Sequence, residues 1–156
     1  ASSAAFSLGH GSNDAQKTAG IIILLLASNG HVALDAPPQW IFYMCYIVIG
    51  LGTLIGGWRV VKTMGHNLTP LKPMGGFCAE TAGAITLFST ASLGIPASTT
   101  HTITGAIVGV GAVNKLSGIK WGIATRIVWA WIFTIPFSAF IAALCFDAIK
   151  LFHPGF

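Results

Sequence analysis

The chain has 156 residues, of which 54% are hydrophobic and only 8% are charged, and its formal net charge is +4. Because a soluble domain carries about a quarter charged residues, this composition argues against an ordinary water-soluble domain and favours a protein embedded in a bilayer. The basic residues lie in short loops rather than in a stripe with interleaved aromatic residues, so they do not indicate a nucleic-acid partner. We expect an all-α integral membrane protein, with a single transmembrane domain over 1–156, that is a piece of a longer chain.

The first predicted element covers residues 1–28, a hydrophobic segment interrupted by the polar run 9–17. Two glycines flank His10, and a Ser-Asn-Asp sequence follows, which disfavours a continuous helix. Asn13 or Asp14 can cap the helix where it resumes. Polar backbone at membrane depth is tolerated only where it is buried in protein or lines a cavity. We therefore predict a broken, discontinuous helix over 1–28.

The second predicted element is a transmembrane span over 40–58. At about 1.5 Å per residue, it is long enough for a hydrocarbon core of about 30 Å. Trp40 and Trp58 suit the two membrane interfaces. Gly52 and Gly56 form a GxxxG pair, so we expect this span to pack closely on another helix.

A helical hairpin is predicted over 74–113, where a polar turn separates two apolar runs. Pro96 disfavours helix at the residue before it and cannot continue the upstream hydrogen-bond ladder. Gly94 is placed to end the first helix, and Ser98 or Thr99 is placed to cap the second. The chain therefore reads as helix, sharp turn, helix.

Three hydroxyls, on Ser98, Thr99 and Thr100, lie at the predicted start of the second hairpin helix. Unpaired backbone N–H groups and the positive end of the helix dipole converge there. Such a place can bind a phosphate or sulfate oxyanion through hydrogen-bond donors alone. The alternative is an ordinary interhelical turn whose hydroxyls cap the helix, since Ser and Thr are common at helix starts.

The last predicted element is a span over 122–146. Basic loops at 59–72 and 114–121 flank the hairpin, and short loops rich in Lys and Arg face the cytoplasm. Both ends of the hairpin are therefore expected on the cytoplasmic side, with the hairpin either re-entrant, its tip at membrane depth, or fully spanning. We predict a multi-pass protein with its N-terminus inside and its C-terminus outside.

Two carboxylates, Asp14 and Glu80, fall within apolar segments, where an ionised side chain is costly, so each is a functional candidate. Asp14 with Asn13 and nearby carbonyl oxygens suits Na⁺ or protonation, and Glu80 suits cation binding or proton transfer. The alternatives are a helix cap for Asp14 and a salt bridge with Lys17 or Arg126 for Glu80.

Lys17, His10 and His101 are the basic candidates. For Lys17 we favour extension to a membrane interface over neutralising Asp14 or attracting an anion. The two histidines are candidate sensors of substrate protonation, although a hydrogen-bonded packing role is commoner.

The broken helix with Asn13 and Asp14 and the hairpin turn with its hydroxyls are predicted to form one two-part site. Anion donors facing cation ligands are typical of secondary transporters, whose broken helices meet at midplane. An anion crossing against a negative-inside potential loses about 2.3 kcal/mol per charge per 100 mV, which a coupling cation offsets. An intramembrane hydrolase using Ser98, His101 and Asp14 is a remote alternative, because no G-x-S-x-G elbow is present in the sequence.

The polar motifs resemble those of a known family. The run 6–20, with Gly-His-Gly-Ser-Asn-Asp-Ala-Gln-Lys-Thr, resembles the second signature of the inorganic phosphate transporter (PiT) family in its bacterial, low-affinity permease form. The run 79–111, with Ala-Glu-Thr-Ala and Gly-Ile-Pro-Ala-Ser-Thr-Thr-His-Thr, is similar to the family's second hairpin, and 129–136 is similar to its last span.

The resemblance implies that the chain is the C-terminal half of an inverted-repeat permease, with a role for each polar motif. Phosphate would be bound by Ser98, Thr99, Thr100 and, as a weaker candidate, Gln16. The coupling cation would be held by Asn13, Asp14 and Glu80, with Na⁺ as a candidate ion at Asn13 and Asp14. No other metal and no cofactor are implied.

The implied function is cation-coupled transport of inorganic phosphate by alternating access at a midplane site. The chain carries Ala-Gln-Lys at 15–17 where many members have Val-Ala-Asn, which leaves H⁺ and Na⁺ open as coupling ions. A sulfate permease of the same family is the alternative. The implied partners are phosphate or metal-phosphate, the coupling cation, the missing N-terminal half and a candidate second copy of the protein. The expected location is the inner (plasma) membrane, which the protein crosses several times.

Overall fold

The computed structural model describes residues 1–114 and 116–152, and the secondary structure in these ranges is entirely helical. This confirms the predicted all-α class. The α-helices are α1 (Ser2–Ser28), α2 (Gln39–Lys62), α3 (Pro73–Ser92), α4 (Thr99–Asn114) and α5 (Trp121–Phe152), with a π-helical turn at Thr63–Leu68 and a 3-10 turn at Leu116–Gly118. The chain divides into two compact units, Ala1–Ile119, which holds α1 to α4, and Lys120–Phe156, which holds α5.

The predicted break in the first helix is wrong, because α1 runs without interruption from Ser2 to Ser28. Glycine in a helix interior costs about 1 kcal/mol, and packing against α3 offsets that cost here. A Cβ built on Gly9 would lie 3.4 Å from Leu87 Cβ, so the absence of a side chain permits close helix packing. Asn13 Nδ2 donates to Gly9 O at 3.2 Å and to Leu87 O at 3.4 Å, which joins α1 to α3.

A second close approach between α1 and α3 lies nearer the start of both helices. Gly83 is buried, and a Cβ there would lie only 2.8 Å from Phe6 Cε2. The Phe6 ring therefore occupies the space that any side chain at position 83 would take. This contact brings the first turn of α1 beside the part of α3 that carries Glu80.

The α1–α2 pair forms a small apolar core around the middle of α1. Alanines in α1 let α2 approach, and branched aliphatic side chains fill the remaining space. The buried members of this core are Ala15, Ala19, Ile23, Ile41 and Cys45. The core therefore holds the first half of α2 against the same helix that carries the polar motif.

The second half of α2 is mostly exposed in this structure. Among the residues that the structure describes, no atom outside the local helix lies within 4 Å of a Cβ built on Gly52 or Gly56. The expected close packing of this GxxxG pair on another helix is therefore not found in the described part of the chain.

The hairpin consists of α3 and α4, and the turn between them follows the local chemistry of its sequence. Gly94 has a positive φ of 69°, a conformation that L side chains rarely adopt. Ile95 N donates to Thr90 O at 2.9 Å, which closes the end of α3. The helices pack closely at a second glycine, since a Cβ on Gly75 would lie 3.1 Å from Val110 Cγ1.

Within the described ranges, two helical segments are long and apolar enough to cross a membrane: Gln39–Leu68 and Trp121–Leu151. Both are longer than the predicted spans 40–58 and 122–146. Pro136 lies inside α5 without ending it, as Pro can in helices at membrane depth.

Candidate functional site

The two polar motifs of the sequence meet at Asp14 and Thr99. Asp14 lies on α1, and Thr99 is the first residue of α4. Thr99 Oγ1 donates to Asp14 Oδ2 at 3.0 Å, and the Thr99 residue is only 5% exposed. The α1 motif and the hairpin turn therefore lie side by side, as the sequence led us to expect.

Two basic side chains of α1 share the Asp14 carboxylate with Thr99. Lys17 Nζ lies 3.2 Å from Asp14 Oδ1, and His10 Nε2 lies 3.2 Å from Asp14 Oδ2. Lys17 Nζ also donates to Ala97 O, a main-chain carbonyl in the hairpin turn. Helical spacings of three and four residues place both basic groups on the same face as the carboxylate. The preferred expectation that Lys17 extends to a membrane interface is therefore wrong.

Ser98 caps α4 and is hydrogen-bonded to the histidine one turn later. The His101 N–H donates to Ser98 Oγ at 3.4 Å, and His101 Nδ1 lies 2.6 Å from the same oxygen. Ser98 O accepts from the main-chain nitrogen and the hydroxyl of Thr102 at 3.0 and 2.9 Å. The Ser98 hydroxyl thus accepts a hydrogen bond from a backbone N–H of the first turn of α4. Ser98 is one of the two N-cap residues that the sequence allowed.

Thr100 is exposed, and its carbonyl accepts from Thr104 Oγ1 at 2.7 Å within α4. Gln16 is exposed on α1, two residues beyond Asp14. Asn13, by contrast, is 7% exposed, and its amide nitrogen is directed to α3. The phosphate role of Gln16 and the cation role of Asn13 stay predictions.

Glu80 is bound by two serines that sequence reasoning missed. Ser2 Oγ and Ser3 Oγ donate to Glu80 Oε2 at 2.7 and 2.8 Å. Lys17 pairs with Asp14 instead of with Glu80. The serines lie 78 and 77 residues from Glu80, and no periodicity in the sequence connects them.

A cavity of about 600 Å³ brings several of these groups to one space within the first unit. Its walls come from α1, α2, the π-helical turn with the loop that follows it, α3 and α4. They are mainly apolar, and they include Gly52 and Gly56 of α2. The polar residues of its lining are Ser7, His10, Thr53, Glu80, Thr99 and Thr100. The cavity therefore joins the Glu80 carboxylate to the first hydroxyls of α4.

The all-helical fold, the two segments of membrane-spanning length and a cavity between helices that carries a few polar groups in a mainly apolar lining are the features of a helical membrane protein. Residues 1–142 match the Phosphate transporter family. The chain belongs to that family, which confirms the resemblance seen in its motifs.

Three relatives illustrate the range of the family. The chain is 57% identical over 151 residues to the "Probable low-affinity inorganic phosphate transporter" of Rhizobium meliloti (strain 1021), covering 96% of this chain and 45% of the relative. It is 39% identical over 143 residues to the protein of the same name in Bacillus subtilis (strain 168), covering 91% and 43%. It is 36% identical over 140 residues to "Sodium-dependent phosphate transporter 1-B" of Danio rerio, covering 88% and 21%.

The chain thus spans less than half the length of these relatives. No solved structure matches it significantly. Because the relatives are named as transporters, the prediction that the chain is not an enzyme is confirmed, and the hydrolase alternative is set aside.

Proposed function

We propose that this chain is half of a secondary transporter that carries inorganic phosphate across the inner (plasma) membrane together with H⁺ or Na⁺. The names of its relatives support phosphate as the solute and, for one relative, sodium dependence. The observation that carries the proposal is the Thr99–Asp14 hydrogen bond. It holds the start of α4, which is suited to binding an anion, against the segment of α1 that carries the carboxylate.

Phosphate binding is assigned to the start of α4. Its first-turn N–H groups and the positive end of its dipole favour an anion. Thr100 is exposed and lines the cavity, and Ser98 is exposed at the cap, so both can turn a hydroxyl toward a phosphate oxygen. Thr99 orients this turn through its bond to Asp14. Gln16 is the weaker fourth candidate.

Charge compensation is assigned to the two carboxylates. Phosphate entering a cell against a negative-inside potential must be accompanied by positive charge. Glu80 lines the cavity and is held by hydroxyl donors, so a cation or a proton can reach it from the cavity. Asn13 and Asp14, beside the hairpin turn, form the second candidate binding position for the cation.

The remainder of the transporter would supply the other half of the site. The chain covers 45% of the relative from Rhizobium meliloti and 43% of that from Bacillus subtilis. An inverted repeat, with a second polar helix and a second hairpin, would complete the site at the midplane and allow alternating access. A homo-oligomer of the complete transporter is compatible with this arrangement.

Uptake of labelled anions by the full-length protein in proteoliposomes tests the proposal. We expect phosphate to accumulate under an imposed cation gradient, and an excess of unlabelled sulfate not to compete. Sulfate uptake that excess phosphate fails to inhibit would favour the sulfate permease. Absence of uptake of either anion under H⁺ and Na⁺ gradients would contradict a transport function.

A further inference from the structure

We propose that the Lys17 ammonium takes the place that a coupling Na⁺ would occupy between α1 and the hairpin turn, so that phosphate transport by this protein does not require Na⁺. The inference rests on the proposed phosphate transport. It assigns Lys17 as a residue that determines the choice of coupling ion.

The atoms that Lys17 contacts are oxygens of the kind that bind Na⁺ in transporters. Its Nζ lies 3.2 Å from a carboxylate oxygen of Asp14 and donates to Ala97 O. Ala97 lies in the non-helical turn between α3 and α4, where its carbonyl is not used in a helix. A carboxylate and an unwound backbone carbonyl from two different elements are typical cation ligands in secondary transporters. In this protein a side chain already bridges them.

The second carboxylate oxygen of Asp14 also has hydrogen-bonding partners. Oδ2 accepts from Thr99 Oγ1 at 3.0 Å and lies 3.2 Å from His10 Nε2. A Na⁺ ion placed between Asp14 and Ala97 would have to displace the Lys17 ammonium or lie directly beside it. The Na⁺ ion and the Lys17 ammonium would then repel each other, and this repulsion is stronger in a partly dehydrated site than in water.

The position of Lys17 is fixed by the helix that carries it. Lys17 and Asp14 are three residues apart on the continuous α1, so they share one face of the helix. The long side chain then reaches the hairpin turn, which is 80 residues away in sequence. Unlike a bound Na⁺, this cation is covalently attached and cannot cross the membrane with the solute. The ion that accompanies phosphate must therefore act elsewhere, and Glu80 in the cavity is the available carboxylate.

Phosphate counterflow provides a test that needs no ion gradient. Full-length protein is reconstituted in vesicles loaded with unlabelled phosphate, and entry of labelled phosphate is measured with either Na⁺ or choline on both sides at one pH. We expect the wild-type protein to give the same rate in both media. We expect Lys17→Met to become Na⁺-dependent, with a rate about tenfold higher in Na⁺, within the roughly 5–150-fold range typical of coupled binding.

Two further variants serve as controls. Lys17→Arg keeps a tethered cation and should stay independent of Na⁺. Lys62→Met removes one positive charge from the exposed last residue of α2, which is not part of the cavity lining, and should behave like the wild-type protein. If Lys17→Met does not fold, Lys17→Gln replaces it, and Na⁺ titration of phosphate binding to the wild-type protein gives an independent measurement.

The outcomes separate this inference from the proposed function. Wild-type counterflow that requires Na⁺, or phosphate affinity that rises with Na⁺, would overturn the role of Lys17 while leaving phosphate transport intact. A folded Lys17→Met variant that is independent of Na⁺, or inactive in both media, would also overturn it. Absence of wild-type counterflow in either medium would contradict phosphate transport itself.

Discussion

The hydroxyl of Thr99 and the carboxylate of Asp14 lie 3.0 Å apart, although 85 residues separate them in the chain. Hydrogen bonds to an ionised acceptor are stronger than those between neutral groups. This bond joins the start of the second hairpin helix to the middle of α1. It therefore fixes the position of the proposed phosphate-binding turn relative to the carboxylate motif.

Replacing Thr99 by Val removes the hydroxyl and keeps the shape of the side chain. A hydrogen bond to a charged group contributes about 1.5–3 kcal/mol, so phosphate uptake by the full-length transporter should fall by roughly tenfold or more. Thr86→Val is the matched control, because the Thr86 hydroxyl bonds to Ala82 O within its own exposed helix face. Equal uptake by Thr99→Val and the wild-type protein would contradict the assigned role of this bond.

Asp14→Asn should decrease phosphate uptake by roughly tenfold or more, because it removes the charged acceptor of the Thr99 hydroxyl, while lowering stability only slightly. The substitution leaves the Lys17 ammonium and His10 beside a neutral amide, but the Asp14 and Lys17 side chains are 29% and 38% exposed, and solvent screens the loss. We expect a decrease of about 1 kcal/mol in the free energy of unfolding, measured by thermal unfolding in detergent. Asp35→Asn, in an exposed loop, should change neither quantity. Uptake retained by Asp14→Asn would remove the carboxylate from the mechanism.

The double substitution Ser2→Ala and Ser3→Ala should reduce uptake through Glu80. Each serine donates to the same carboxylate oxygen, and each bond contributes about 0.5–1 kcal/mol, so the loss of both should decrease uptake by roughly fivefold to thirtyfold. Ser28→Ala is the control, because that hydroxyl bonds to Leu25 O at the other end of α1. If the serines act by positioning Glu80, their removal should have no further effect on uptake in a Glu80→Gln background.

Glycine-to-alanine substitutions at two positions of α3 should have opposite effects on stability. At Gly83, a Cβ would lie 2.8 Å from Phe6 Cε2 and force the ring to move, whereas no neighbouring atom lies within 4 Å of a Cβ at Gly76 in the part of the chain that the structure describes. We expect Gly83→Ala to destabilise the protein by about 1–3 kcal/mol and Gly76→Ala to stabilise it by about 0.5–1 kcal/mol. Melting temperatures of the purified variants measure both, and a Gly83→Ala variant as stable as Gly76→Ala would contradict the Phe6 contact.

The elements that local chemistry determines were predictable from the sequence. Pro96 and Gly94 place the hairpin turn, because one removes a donor and the other adopts a positive φ. The meeting of the α1 motif with that turn was also anticipated, since polar groups within apolar segments are expected to satisfy one another.

The predictions that failed depend on contacts between elements distant in sequence. Gly9 and Asn13 suggested a helix break, but their partners on α3, above all Leu87, allow the helix to continue. The serines that bind Glu80 belong to an apolar segment in which nothing marks them as functional. The contact of Lys17 with Ala97 depends on α1 being continuous, so the mistaken break also concealed it.

The unbroken course of α1 has a mechanical consequence. The helix carries Ser3, which contacts Glu80, and Asp14, which contacts Thr99, and these residues are about 17 Å apart along its axis at 1.5 Å per residue. A translation of this continuous helix along its axis, or a rotation about that axis, moves both places together. Such a movement of α1 during the proposed transport cycle would therefore change the Ser3–Glu80 and Asp14–Thr99 contacts at the same time, which links the two ends of the site.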